Sequence, residues 1–483
     1  MEKKKGFKMP SAFTILFLII IILAIITQFI GGGVVPASLA DVVMAAPRAL
    51  VGFSSEEGAK IAFEVSGAID VSFFVMMLGG FLGVVNKTGA LEAGIARIVK
   101  KLNGKEIYMI PVLMFLFSLG GTTYGMAEET IGFYALIVST MMAAGFDAVT
   151  GASVILLGAG VGCLGSTINP FAVGVAVDSV QAAVPGLKID QTIIMGLGLI
   201  MWLSSYLIAL FFVMRYAKKV KADKTKTILT AAEVEATEAA FADDEEEEPE
   251  WTGKRKVVML LFAFTFVVMI CSLIPWGSFN VHFFDGWTSF LNGLSFGDWY
   301  FQELQAWFFI MAVVVGLVYR LKETEIISAF MNGVADMISV ALIVAVSRGI
   351  TVIMAQTGLQ TYILKAAADA LEGINSGLFT SMSYIIYIGL SFLIPSTSGL
   401  ASGSLPVFGP LAVKLGLSPE VMIMIFSGAC GLVNLVTPTS GVVMGGLATS
   451  RIEFTTWVRF VGKIMLCILI ANLIILSVAM MIL

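Results

Sequence analysis

The sequence predicts an all-α polytopic membrane protein that is built from two inverted repeats. Three observations lead to this fold class. Of the 483 residues, 58% are hydrophobic and only 13% are charged, whereas soluble proteins carry about 25% charged residues. Several apolar runs reach the roughly 20 residues that cross a bilayer core, and the two halves share sequence patterns in the same order. A water-soluble enzyme is excluded.

The first predicted repeat covers residues 1–217. Its first apolar run is longer than the apolar region of a signal peptide, so we expect a span. The segment 106–146 is apolar but is interrupted in its middle by Gly120, Gly121, Gly125 and Gly132, and each of its arms is short for a 30 Å core. We therefore expect a re-entrant hairpin there. The predicted spans of this repeat are 12–30, 67–86, 149–181 and 189–217.

Basic residues indicate the orientation of these elements. Lys3, Lys4, Lys5 and Lys8 precede the first span, and further basic clusters follow the second and the last span of the repeat. Cytoplasmic loops of membrane proteins are rich in Lys and Arg. We expect a multi-pass protein of the cytoplasmic (inner) membrane with its amino terminus in the cytoplasm.

An acidic segment separates the two halves. Residues 231–250 contain ten acidic residues and no basic one, which is typical of a solvated, disordered linker. We assign residues 218–254 to a cytoplasmic linker and residues 255–275 to a connecting span. Because this extra span puts the second half on the opposite side of the membrane, it converts parallel repeats into inverted ones.

The second predicted repeat covers residues 276–483 and matches the first in three windows. Gly80 and Thr88 correspond to Gly349 and Thr357, and similar matches recur around residues 397–408 and 428–438 at a nearly constant offset. The inversion makes its re-entrant hairpin, 376–416, enter from the outer side. The predicted spans of this repeat are 303–319, 326–356, 418–449 and 454–483.

Four chain breaks are expected to form a binding site. Residues 120–125 and 395–399 are rich in Gly and hydroxyl side chains at the two hairpin tips, and Pro170 and Pro438 interrupt two matching helices. Unwound backbone at membrane depth is tolerated only where it is buried or lines a wet cavity, and broken helices expose carbonyls and a positive helix end. The candidate polar residues are Thr122, Thr123, Ser166, Thr167, Asn169, Ser396, Thr397, Ser398, Asn434, Thr437, Thr439 and Ser440.

Charged residues within apolar segments indicate what binds there. Glu128 and Glu129 follow the first tip, and Arg348 lies in the apolar run 340–354. Buried charges are costly and are functional candidates by default, although Arg348 could instead pair with a carboxylate for structural reasons alone. An acidic pair opposite a guanidinium suits a molecule with both a cationic group and a carboxylate, such as an amino acid.

Several motifs resemble those of a known family. These motifs are GGFLGVVNKTGA at residues 79–90, GGTTYGMAEET at 120–130, GSTINPF at 165–171 and LVTPTSGV at 435–442. They resemble the YfcC family within the anaerobic C4-dicarboxylate carrier-like proteins of the ion transporter superfamily. The resemblance implies a homodimer, a scaffold domain and a transport domain that moves as an elevator.

The resemblance also implies alternative substrates. Members are labelled either for dicarboxylates or for basic amino acids, as arginine/ornithine antiporters. The hairpin tips lack the Ser-Asn-Thr motif of sodium-coupled relatives, and a Glu pair would repel a dianion. We expect a secondary transporter of amino acids that binds no cofactor and no nucleic acid, with a C4-dicarboxylate carrier coupled to Na⁺ or H⁺ as the alternative. A coupling Na⁺ is expected near Thr123, Asn169, Thr397 and Asn434, and a channel or membrane enzyme is the remaining class.

Overall fold

A computed structural model of the chain describes residues 12–55, 61–65, 67–94, 97, 105–241, 250–274, 276–279 and 281–483. Within these ranges the chain is almost entirely helical, and the two short strands β1 (Phe53–Ser54) and β2 (Glu64–Val65) form an antiparallel pair. The amino-terminal lysines and the acidic run 243–248, on which part of the expected topology rests, lie outside the described residues.

Among the described residues of the first half, nine α-helices have nine or more residues, and their bounds follow the apolar pattern and its breakers. A 3₁₀ helix, Glu128–Phe133, joins α4 to α5, and a π-helical turn, Pro170–Gly174, joins α6 to α7. The helices are α1 (Ala12–Thr27), α2 (Leu39–Val51), α3 (Ile69–Lys87), α4 (Met109–Tyr124), α5 (Tyr134–Ala143), α6 (Ala148–Leu164), α7 (Val175–Ala183), α8 (Gln191–Ala222) and α9 (Ala231–Phe241).

The second half also contains long helices and interrupted ones. Its helices are α10 (Gly253–Leu273), α11 (Phe301–Tyr319), α12 (Glu323–Gln356), α13 (Leu359–Leu371), α14 (Ser376–Leu393), α15 (Thr397–Lys414), α16 (Pro419–Val433), α17 (Gly441–Thr449) and α18 (Phe454–Ile482).

The helices identify a multi-pass membrane protein. Among the described residues, seven helices are long and apolar enough to cross a membrane, including α8, α12 and α18. Their outer faces carry exposed large apolar side chains, such as Leu207, Leu260 and Ile474. Water would disfavour so much exposed apolar surface, whereas lipid accommodates it. The predicted all-α polytopic fold class is confirmed.

The packing divides the helices into two groups. The frame group consists of α1–α3 and α10–α13, in which α12 packs along α3, α2 and α1. Close contact depends on glycine, because a Cβ at Gly333 would lie 2.1 Å from the carbonyl oxygen of Gly79. The hairpin group consists of α4–α9 and α14–α18, with α6 and α16 packed against each other at its centre.

The acidic linker requires a correction. We expected a disordered loop over residues 231–250, but α9 is helical over Ala231–Phe241, and α8 continues to Ala222 within the assigned linker. Glu233 of α9 is buried, and its carboxylate accepts hydrogen bonds from the Thr230 and Glu453 amides and the Thr456 hydroxyl. These contacts compensate the burial of the carboxylate at the positive end of α18. The composition of the segment predicted disorder because it does not report Glu453 and Thr456, the partners of Glu233 that lie far away in sequence.

Candidate functional site

The four chain breaks meet around one cavity of about 180 Å³. A dry cavity of roughly 150 Å³ holds a molecule of benzene, so this volume suits a small metabolite. The lining includes residues 125–128 of the first tip, residues 395–398 of the second tip, and the chain after α6 and after α16. The frame group closes the remaining side with residues of α3, α11 and α12.

The first tip begins where α4 ends at a left-handed glycine. Gly125 has φ +79°, and a Cβ there would lie 2.6 Å from the Asn169 Oδ1. Gly125 is therefore favoured both by its backbone conformation and by the lack of space for a side chain. The 3₁₀ helix that follows contains Glu128, and the Thr130 hydroxyl donates to the Ala127 carbonyl at 2.6 Å.

Hydrogen bonds tie the first tip to the break after α6. The Thr122 hydroxyl donates to the Gly165 carbonyl at 2.7 Å, and the Thr167 amide donates back to the Thr122 carbonyl at 3.0 Å. Both bonds use unwound backbone that the helix itself leaves unpaired. The first tip and the broken helix thus form one hydrogen-bonded unit.

Asn169 organises the break itself. Its Oδ1 accepts the amides of Phe171 and Ala172 at 3.0 and 3.2 Å, and its Nδ2 donates to the Ser166 hydroxyl. The side chain therefore caps the π-helical turn in the way that an Asn caps a helix. The Ser166 hydroxyl in turn donates to the Cys163 carbonyl at 2.6 Å.

The second tip is bound to its own broken helix by weaker contacts. The Ser396 side chain caps α15 by accepting the Gly399 amide at 3.2 Å. The Thr397 hydroxyl is approached by the Asn434 Nδ2 at 3.5 Å and by the Cys430 thiol at 3.6 Å. Distances of this length are weak hydrogen bonds, so the Thr397 hydroxyl retains capacity to bind a ligand.

The break after α16 is stabilised by hydroxyl side chains. The Thr437 and Thr439 hydroxyls lie 2.7 Å apart, and the Thr439 hydroxyl donates to the Phe392 carbonyl at 3.0 Å. Ser440 is the N-cap of α17. Ser440, Gly441 and Val442 line the cavity, so the positive dipole end of α17 faces it.

The charges of the cavity are carried by two described residues. Glu128 is the single carboxylate and Arg348 the single cation among the described residues that line it, and both side chains are half-buried. No hydrogen bond or ion pair within the described part of the chain involves the Glu128 carboxylate. Arg348 donates to the Gly67 carbonyl at 2.7 Å. Neither Glu128 nor the exposed Asp336 pairs with Arg348 as a structural partner.

The structure separates the predicted residues into two sets. Thr122, Thr123, Ser166, Thr167 and Thr437 lie beside the cavity without lining it, and their hydroxyls take part in internal hydrogen bonds, that of Thr123 with the Leu119 carbonyl. The side chain of Glu129 lies outside the described residues. The predicted residues that line the cavity are Glu128, Asn169, Arg348, Ser396, Thr397, Ser398, Asn434, Thr439 and Ser440.

Sequence patterns missed several lining residues. Phe171, Tyr300 and Cys163 line the cavity, as does Ser347 beside Arg348. Phe171 follows the Asn-Pro break directly, which is a signal that could have identified it. Tyr300 comes from the segment before α11, for which the apolar pattern gave no indication of contact with the broken helix.

Within the described residues, no group of three or more His, Cys, Asp or Glu side chains could hold a metal ion. The residues expected to bind a coupling Na⁺ do not all lie at one place. Thr123 is outside the cavity lining, whereas Thr397 and Asn434 lie together at the second tip. A sodium site stays a prediction.

Sequence comparisons find a carrier family and two similar proteins. The sequence model of the C4-dicarboxylate anaerobic carrier family matches residues 9–481. An uncharacterised protein of Haemophilus influenzae is 29% identical over 85% of this chain and 75% of its own length. YfcC of Escherichia coli K12, provisionally named a basic amino acid antiporter, is 28% identical over 86% of this chain and 78% of its own length.

Two solved structures are also similar, at a lower sequence identity of 15%. MtrF of Neisseria gonorrhoeae, described with a class of antimetabolite efflux pumps, is 15% identical with a TM-score of 0.42, covering 99% of this chain and 96% of that one. The YdaH transporter of Alcanivorax borkumensis is 15% identical with a TM-score of 0.43, covering 97% and 98%.

Proposed function

The chain belongs to the C4-dicarboxylate anaerobic carrier family, and we propose that it carries amino acids across the membrane. Membership makes it a secondary transporter of small molecules rather than an enzyme. Its proposed substrate is a basic amino acid of the arginine or ornithine type, taken up or exchanged for another amino acid.

The carboxylate of Glu128, which has no partner among the described residues, is the observation that carries this proposal. Two like charges about 4 Å apart repel by roughly 4 kcal/mol in a site of intermediate polarity. A dicarboxylate would have to bind beside Glu128, and among the described lining residues Arg348 alone could balance one of its two negative charges. A basic amino acid instead places its side-chain cation near Glu128 and its carboxylate near Arg348, so that each charge of the substrate meets an opposite charge.

A C4-dicarboxylate carrier is the second candidate. It is favoured by the family name and by the amino-terminal end of α17, whose capped turn at Ser440 faces the same cavity as Arg348. A helix end and a guanidinium together form an anion site. The two candidates therefore share the carboxylate position and differ in what binds at Glu128.

The proposed mechanism is movement of the hairpin group against the frame group. Two observations support this mechanism. Residues of both groups line the cavity, and α6 packs against α16 as α8 packs against α18. These pairs join elements at equal places in the two halves, as expected for inverted repeats. Coupling to Na⁺ or H⁺, a homodimer, and an inner-membrane location with a cytoplasmic amino terminus and linker belong to the same proposal.

Uptake into proteoliposomes tests the substrate assignment. Arginine, ornithine, a neutral amino acid and succinate are compared with the unaltered chain and with Glu128→Gln and Arg348→Ala. We expect Glu128→Gln to weaken transport of basic amino acids selectively, because the neutral amide cannot balance the cation. Arg348→Ala should weaken transport of every carboxylate-bearing substrate.

Asp336→Asn provides the matched control. Asp336 is an exposed carboxylate on α12 that does not line the cavity, so its neutralisation should leave the order of substrates unchanged. Transport of succinate alone, unaffected by Glu128→Gln, would refute the amino-acid assignment and favour the second candidate.

A further inference from the structure

An aromatic pair connects the two helix groups at the cavity. Phe171, in the π-helical turn after α6, and Tyr300, the N-cap of α11, both line the cavity, with ring centroids 5.3 Å apart. Phe301 extends this surface, since its ring centroid lies 4.7 Å from that of Tyr300. Aromatic rings at such separations attract one another through their quadrupoles.

The position of Phe171 is linked to that of the acidic tip. Its amide donates to the Asn169 Oδ1, and the Asn169 side chain occupies the space above Gly125. Gly125 is three residues before Glu128 in the same tip. A shift of the acidic tip would therefore be transmitted to the aromatic ring through the side chain of Asn169.

Tyr300 is anchored in the frame group. Its amide donates to the Glu303 carboxylate at 2.8 Å, and its neighbour Phe301 packs on Phe74 of α3, with ring centroids 5.5 Å apart. Tyr300 is 46% exposed, whereas Phe74 is buried. One ring of the pair is thus held by the hairpin group and the other by the frame group.

These contacts have a chemical consequence for the ligand. A guanidinium is planar and weakly hydrated, so it stacks on aromatic faces while its edge donates to a carboxylate. An ammonium is a compact, strongly hydrated point charge and gains less from such a face. A carboxylate together with aromatic faces in one small cavity therefore discriminates between the two cations.

We propose that Phe171 and Tyr300 form an aromatic wall that selects substrates with a guanidinium over substrates with an alkyl ammonium. The inference rests on the proposed function and specifies its substrate class, with Glu128 binding the edge of the cation and the wall binding its face. Because each ring belongs to a different helix group, the wall is complete only when the two groups meet as they do here.

The test measures KM for arginine and for ornithine with the full chain in proteoliposomes. Phe171→Leu and Tyr300→Leu remove one aromatic face each, whereas Phe171→Tyr and Tyr300→Phe retain it. We expect the Leu variants to raise the KM for arginine by about 2- to 30-fold, the range between an exposed and a desolvated cation–π contact, and that for ornithine much less. The variants that retain the ring should keep the original ratio.

Phe290→Leu is the control for loss of an aromatic residue elsewhere. Phe290 is 83% exposed and does not line the cavity, so neither KM should change. Thermal unfolding of every purified variant shows whether it is folded, and substrate ratios are compared only among folded variants.

Three results would overturn the inference. Equal increases of both KM values in the Leu variants would show that the rings only close the cavity. Unchanged KM values in the Leu variants would show that the rings do not contact the substrate, and a loss of preference in Tyr300→Phe would assign selection to the hydroxyl. Failure of the unaltered chain to transport either amino acid would refute the proposed function itself, whereas transport of both with an unchanged ratio refutes the wall alone.

Discussion

Gly121→Ala tests the close contact between the first hairpin and the helix that carries the break. A Cβ at Gly121 would lie 2.2 Å from the Ala159 carbonyl oxygen, 2.9 Å from the Cys163 amide nitrogen and 3.0 Å from the Gly162 Cα. All three are backbone atoms, so no side chain can rotate away. We expect α4 to move away from α6 and to weaken the hydrogen bond between Thr122 and Gly165.

The size of the effect follows from three contributions. Overpacking costs about 1–3 kcal/mol, and a lost hydrogen bond costs about 0.5–1.5 kcal/mol. The better helix propensity of Ala returns up to about 1 kcal/mol. We expect a net loss of roughly 2 kcal/mol, together with weaker substrate transport because the first tip is displaced.

Gly389→Ala is the matched control, because Gly389 lies in the corresponding arm of the second hairpin and a Cβ added there would have nothing within 4 Å. It should be neutral or slightly stabilising. Thermal unfolding in detergent and arginine uptake are measured for both variants. The reasoning is refuted if Gly121→Ala is as stable and as active as Gly389→Ala.

Three further predictions concern other parts of the chain. Glu233→Ala should release α9 from α18, because the lost hydrogen bonds leave their donors unsatisfied at a cost of about 1–3 kcal/mol in the free energy of unfolding. The release should be seen as faster limited proteolysis. Glu235→Ala, at an exposed position, should be cleaved at the same rate as the unaltered chain. Thr397→Val should reduce substrate affinity while changing the unfolding temperature little, because the hydrogen bonds of its hydroxyl are long. Hydrogen bonding and charge from Lys414 lower the pKa of the exposed Glu372 carboxyl below its usual 4.5. The ion pair therefore stabilises the folded protein above pH 4.5 and loses this effect as the pH falls through the lowered pKa. Lys414→Met should remove this acid-dependent part of the unfolding temperature, and an unchanged pH profile would contradict the prediction.

Much of the helical framework was predictable from local signals. Glycine, proline and hydroxyl residues interrupt apolar runs at the hairpin tips, and the second hairpin, expected over 376–416, contains α14 and α15 over 376–414. Asp147 and Ser418 cap α6 and α16, and an Asp or Ser directly before an apolar run is a local signal of a helix start. Such signals act within a few residues, which is why a single sequence reveals them.

The rest depends on contacts between distant segments. The burial of Glu233 requires Glu453 and Thr456, and the aromatic wall requires Phe171 to meet Tyr300. The helices α2 and α13 and the short β-hairpin were not expected either, because they are too short or too polar to resemble a span. Tertiary packing decides such elements, and local composition does not report it.

Protection of Cys163 by substrate tests the central claim most directly. Cys163 lines the cavity, and its thiol lies 3.4 Å from the Met126 carbonyl of the first tip. The other cysteines, Cys271, Cys430 and Cys467, are replaced by Ser, and the rate of thiol modification is measured with and without ligand. We predict that arginine slows the reaction, that succinate does not, and that Glu128→Gln abolishes the protection. An unchanged rate under saturating arginine, or protection by succinate alone, would contradict the account.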